Sequence, residues 1–134
     1  MCRTAVYRDD LFLEHQPGFG HVESPDRLKV IYDELDRPGI GQHLIYPQFT
    51  PAGPEIIGLN HSPALIKRVA QTAGQNHDFL DADTQTSPKS YEVACLAAGA
   101  LVDGMQRIAA GEVDNGFCLV RPPGHHAERN RAMG

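Results

Sequence analysis

The sequence has no tryptophan, only three cysteines, and no apolar run near the ~20 residues that a membrane-crossing helix requires. Basic side chains are also scarce: 12 Lys and Arg stand against 17 Asp and Glu, for a net charge of −5. That balance excludes a general nucleic-acid binder, because each phosphate contact needs a cation. Cys2, Cys95 and Cys118 are odd in number and far apart, which excludes a disulfide framework and favours a reducing, cytoplasmic setting. The N-terminal Met1-Cys2-Arg3-Thr4 lacks the apolar stretch of a signal peptide. What is present is the make-up of one globular domain: 134 residues, 41% hydrophobic and 22% charged, with no linker or repeat. Seven histidines are the conspicuous surplus.

Three segments open alike, at Ser24-Pro25, Ser62-Pro63 and Ser87-Pro88. Serine is a good N-cap, and proline suits the first helical position, where its missing N–H would have had no intrahelical partner. Apolar residues then recur at helical spacing, and each segment runs out near a glycine, at Gly39, Gly74 and Gly111. This spacing predicts helices near 25–37, 63–73 and 88–110, with a possible extra turn at 54–59. Thr4–Tyr7 and Leu44–Tyr46 read as short strands. Phe117–Val120, apolar at every position, reads as a parallel strand covered on both faces. Strands alternating with helices predict an α/β fold with a mainly parallel sheet, whose ligands gather at the carboxyl ends of the strands.

The segment beyond Val120 is therefore the place to look for chemistry. It reads Arg121-Pro122-Pro123-Gly124-His125-His126-Ala127-Glu128. Two prolines stiffen the strand exit, and Gly124 permits a turn closed to other residues. The loop presents two adjacent imidazoles, the side chains most readily poised for proton transfer near neutral pH. A bare His-His pair is more often a solvated surface feature; the strand–Pro-Pro-Gly setting argues for function.

Leu119–Glu128, followed by Ala132-Met133-Gly134, closely resembles the tandem-histidine segment of the histone deacetylase family, in its class II and bacterial branch. Gly20–Leu28 resembles that family's His-x-Glu-x-Pro-x-Arg element, Asn60–Pro63 its His-Ser turn, and Asp81–Thr84 with the alanine-rich 97–99 stretch its Asp-Thr loop and following helix. The resemblance covers essentially the whole chain and implies the three-layer α/β/α arginase/deacetylase fold. It also implies zinc-assisted hydrolysis of an acetyl-amide, with acetyl-lysine or acetylpolyamine-type substrates. His126 would then be the general base, and His125 would stabilise developing charge and help protonate the leaving amine. Asp83 would grip substrate N–H groups, Gly124 and His21 would lie by the pocket, and Arg27 would line an internal channel.

Plainer readings stand beside these. Asp83 could serve as a turn cap, Arg27 as the partner of Asp26, and His21 as a donor to loop carbonyls. His61 reads as a structural turn residue, His15, His43 and His77 as surface histidines, and Tyr91 as packing. Ser62 and Ser87 read as caps, and Cys118 as buried and inert. Nowhere is there a nucleophile-elbow motif. The family's zinc ligands lie beyond its tandem histidines, so 1–134 reads as the N-terminal part of such a domain, with no metal expected in the catalytic mode. His61, Asp81, Asp83, His125 and His126 carry zinc-capable side chains but lack close ligand spacing. Alternatives are a non-catalytic fold fragment, or a metal-free site using the same histidines. A homodimer is expected, its interface including the Phe117–Val120 edge or the faces flanking it, and the small-residue face of the long helix suits close packing.

Overall fold

Two of the three serine–proline pairs start helices as the sequence predicts. The structure is a computed structural model describing residues 2–133, so Gly134 lies outside the described residues. Helix α1 spans Asp26–Leu35, with the Ser24 hydroxyl accepting the Asp26 N–H. After the short helix α2 (Pro54–Ile57), helix α3 (Pro63–Ala70) is capped by Ser62, whose hydroxyl accepts the Leu65 N–H. The third pair does otherwise. Helix α4 runs Ser90–Ala109, three residues after Ser87. Ser87 is buried and its hydroxyl accepts the Gln16 N–H, so a tertiary contact takes the group that would have capped the helix.

The end of α4 follows its glycine. Gly111 adopts φ 71°, its N–H bonds the Ile108 carbonyl, and the Glu112 N–H bonds the Arg107 carbonyl. This is the Schellman pattern that satisfies the last carbonyls of a helix.

Strands β1 (Thr4–Tyr7) and β4 (Asn115–Cys118) pair in parallel, Thr4 opposite Asn115 and Tyr7 opposite Cys118. Alternate side chains enter two clusters: Val6 joins Leu28, Tyr32, Val93, Leu96 and Leu119, whereas Ala5 and Tyr7 join Ala100 and Val113. The expected strand at 44–46 contributes a single parallel bridge, Ile45 to Ala5. Pro47 follows at once and has no N–H to continue a ladder. Strand β4 begins two residues earlier than expected, and Phe117 is 62% exposed, so it is not covered on both faces. Among the described residues β1 is its only strand neighbour. The Asp81–Thr84 segment, read as a loop, is the turn of an antiparallel hairpin between β2 (Asp78–Asp81) and β3 (Thr84–Thr86).

The small-residue face of α4 is occupied from within the chain. Gly99 lies against the backbone of 50–52, where an added Cβ would collide with the Thr50 carbonyl oxygen, and the Ala52 N–H bonds the Cys95 carbonyl at 2.9 Å. That stretch is therefore packed from within the chain. Gly99→Ala should destabilise the chain by about 1–3 kcal/mol through overpacking, read as a lower urea midpoint. An unchanged midpoint would contradict the close approach.

Candidate functional site

At the carboxyl end of β4 the chain stays on the sheet for one more bond, from the Leu119 N–H to the Tyr7 carbonyl. It leaves at Arg121, through a cis Arg121–Pro122 peptide. Arg121 turns back into the protein and is only 3% exposed. Its Nε and Nη2 donate to the two Glu23 oxygens at 2.6 and 2.8 Å, and Nη1 donates to the Phe12 carbonyl at 2.7 Å. Such a two-bond pairing of planar groups fixes orientation as well as distance.

Beyond it, Gly124 takes φ 154° and its carbonyl accepts the Ala127 N–H at 2.8 Å, closing a turn with His125 and His126 at its centre. Both rings are exposed, with centroids 4.1 Å apart and planes inclined by 47°. The far side of the loop is also tied. The His61 Nδ1–H donates to the Glu128 carbonyl at 3.0 Å, and the Ser62 N–H donates to the Arg129 carbonyl at 2.9 Å. His61 is thus a structural turn residue, and what it holds is the histidine loop. Arg131 reaches Asp81 at 3.7 Å, bringing the β2–β3 turn to the same region.

Within that turn Asp83 is exposed, and its N–H donates to Asp81 Oδ1 at 3.0 Å. The capping role considered for Asp83 belongs to Asp81, whose carboxyl is held below the usual range, first by the Thr84 hydroxyl and then by backbone N–H groups. His21 accepts the Glu23 N–H on Nδ1 at 3.1 Å rather than donating to loop carbonyls. Arg27 is exposed on the first turn of α1, and no ion pair holds it among the described residues. Asp26 instead reaches Lys29 at 3.1 Å, because residues three apart share a helix face and adjacent ones do not. His43 and His77 are exposed, as expected. Tyr91 is half-buried, and Cys118 is half-buried with its thiol pushed up by burial.

His15, expected at the surface, is 3% exposed. Its Nδ1 lies 2.7 Å from the Ser90 hydroxyl and its Nε2 lies 3.5 Å from Glu23 Oε2. An Nε2 facing a carboxylate carries the proton, so Nδ1 accepts from Ser90, which in turn accepts the Ser87 N–H at 2.7 Å. Burial pushes the His15 pKa down to about 4, against the opposing pull of Glu23. Sequence reasoning missed His15, Glu23 and Arg121 as a unit. The one available signal was Arg121 itself, a charge between an apolar strand and two prolines, which needs a buried partner.

Among the described residues no group of three or more His, Cys, Asp or Glu side chains is arranged to hold a metal ion. The arrangement is an α/β unit with a tandem-imidazole loop at the carboxyl end of a parallel strand pair. Residues 21–134 match the histone deacetylase domain, and the chain belongs to that family. It is 32% identical to the histone deacetylase-like amidohydrolase of Pseudomonas aeruginosa, over 98% of this chain and 39% of that protein. It is 37% identical to the polyamine deacetylase HDAC10 of Danio rerio, over 84% of this chain and 18% of that protein. The crystal structure of the HDA15 HD domain superposes with a TM-score of 0.94 at 33% identity, over 99% of this chain and 39% of that one. The chain thus has the arginase/deacetylase fold, and spans between 21% and 39% of the first two curated relatives it matches.

The pH dependence of stability follows from His15. Above pH 6.5 it is neutral whether folded or unfolded; between 6.5 and about 4 only the unfolded chain takes up the proton. Stability should therefore fall as pH falls across that window, by about 3 kcal/mol in all. Urea midpoints at about pH 7 and about pH 4 check this, and His15→Gln should flatten the slope.

Proposed function

We propose that the chain is the N-terminal part of a deacetylase-type amidohydrolase, with His125 and His126 as its proton-transfer pair. The observation that carries this is the two imidazoles 4.1 Å apart on a turn tied at both ends, at the carboxyl end of a parallel strand pair. His126 takes the proton of the attacking water, and His125 steadies developing charge and protonates the leaving amine. Asp83 binds substrate N–H groups from the neighbouring turn, Gly124 and His21 border the pocket, and Arg27 lines an inner channel. The described residues do not form the zinc site that the family's chemistry uses, so no step here runs through the metal.

The names of the Pseudomonas and Danio relatives support acetyl-lysine or acetylpolyamine-type substrates. The three free thiols support a cytoplasmic setting, and among the described residues no helix is long and apolar enough to cross a membrane. The protein carrying this chain should release acetate from an acetyl-lysine peptide or an acetylpolyamine, with His126→Ala lowering kcat by about 10²–10⁴-fold. Absence of acetate release from both substrate classes would overturn the proposal.

A second reading, a non-catalytic fold fragment stabilised by self-association or a partner chain, is favoured by one observation. Leu101, Met105 and Ile108 form an exposed stripe on α4, and Phe117 is exposed on β4. Apolar surface of this kind marks interfaces, and the open edge of β4 invites a further strand. On this reading light scattering finds a two-fold dimer at micromolar concentration, and Phe117→Lys with Met105→Lys returns it to a monomer. A wild-type monomer that unfolds cooperatively would defeat it.

A further inference from the structure

The proton-transfer scheme leaves the best-built polar cluster of the molecule without a task. Behind the strand exit Arg121, Glu23, His15, Ser90 and Ser87 are all buried. They draw together the exit of β4, the segment before α1, the turn at Asp10–Glu14, and the start of α4. Stability alone does not account for such a cluster, because apolar side chains of similar volume usually serve as well as a buried ion pair.

We propose that Glu23, with His15 behind it, acts through Arg121 as a positioning device for the tandem-histidine loop, a role that rests on the reading of His125 and His126 as the acid/base pair. Arg121 is the last residue whose side chain is anchored before the loop begins. Its planar fork bonds a carboxylate on one side and a backbone carbonyl on the other, which fixes the direction in which Pro122–Gly124 depart. Glu23 is set from two directions: His21 Nδ1 accepts its N–H at 3.1 Å, and His15 Nε2 faces its carboxylate at 3.5 Å. Ser90 and Ser87 hold His15 from the other side, at 2.7 Å to Nδ1 and through their own 3.1 Å contact. The downstream end of the loop, tied by His61 and Ser62, completes the two-point mounting. Catalytic geometry tolerates little slack, and a misplacement near 1 Å costs about 100-fold in rate.

The test uses the chain itself and reads the loop without activity. Imidazole NMR spectra report the His125–His126 ring contact, and amide exchange reports the Ala127 N–H. Arg121→Lys keeps the charge but cannot make both sets of bonds. It should abolish the ring–ring NOE and speed exchange at Ala127 by about tenfold, with amides of β1 and α4 unchanged. His15→Leu should do the same, whereas His15→Gln, which keeps a donor and an acceptor, should restore the wild-type spectra. Wild-type ring contacts in Arg121→Lys, or loosening only in step with the whole fold, would overturn the proposal. Where a substitution unfolds the chain, the wild type decides: the Arg121 Nε–H and the Ala127 N–H should open together. A protected Arg121 beside a freely mobile Ala127 would overturn it. These spectra stand or fall apart from acetate release, so the mounting and the hydrolase reading fail separately.

Discussion

The molecule is organised around one buried contact, the pairing of Arg121 with Glu23. Two charges taken out of water lose several kcal/mol of hydration each, and the loss is offset only when geometry is good and every donor is used. Here two parallel bonds join the pair and the Phe12 carbonyl takes a third, so each guanidinium nitrogen donates once. Removing one partner of such a pair typically costs about 3–5 kcal/mol, because the other charge is then stranded. The contact joins positions 98 residues apart in the chain. It therefore also fixes the path of the N-terminal third against the last strand.

The histidine loop inherits its order from that contact. Its own bonds are few: turn bonds from Ala127 to Gly124 and from Glu128 to Arg131, the two ties to His61 and Ser62, and one from Arg129 to the Asn60 carbonyl. Both imidazoles lie in the open, against each other. A rigid base beneath exposed reactive groups is how a scaffold lends precision to a loop. His15 faces the Glu23 carboxylate through Nε2, and burial keeps the ring neutral at ordinary pH.

Local signals were read well and long-range ones poorly. The start of α3 at Ser62-Pro63 and the end of α4 at Gly111 follow from capping chemistry that involves only near neighbours. Ser87 carries the same Ser-Pro signal and does something else, because Gln16 reaches its hydroxyl first. Leu44–Tyr46 has strand composition, yet one residue pairs. His15 looked like any surface histidine, since its burial is set by Ser90 and Glu23, and no pattern around position 15 encodes either.

By itself the sequence determined the α/β alternation, the family, and the two histidines at the end of the last strand. These rest on short-range chemistry: proline and glycine at turns, serine at caps, apolar runs in strands. Only the tertiary structure decided that Arg121 faces inward to Glu23, that His15 is buried behind them, and that Asp81 rather than Asp83 caps the hairpin turn. The physical reason is that a charged or polar side chain is buried only with a partner, and the partners here come from distant segments that meet only when the chain is folded.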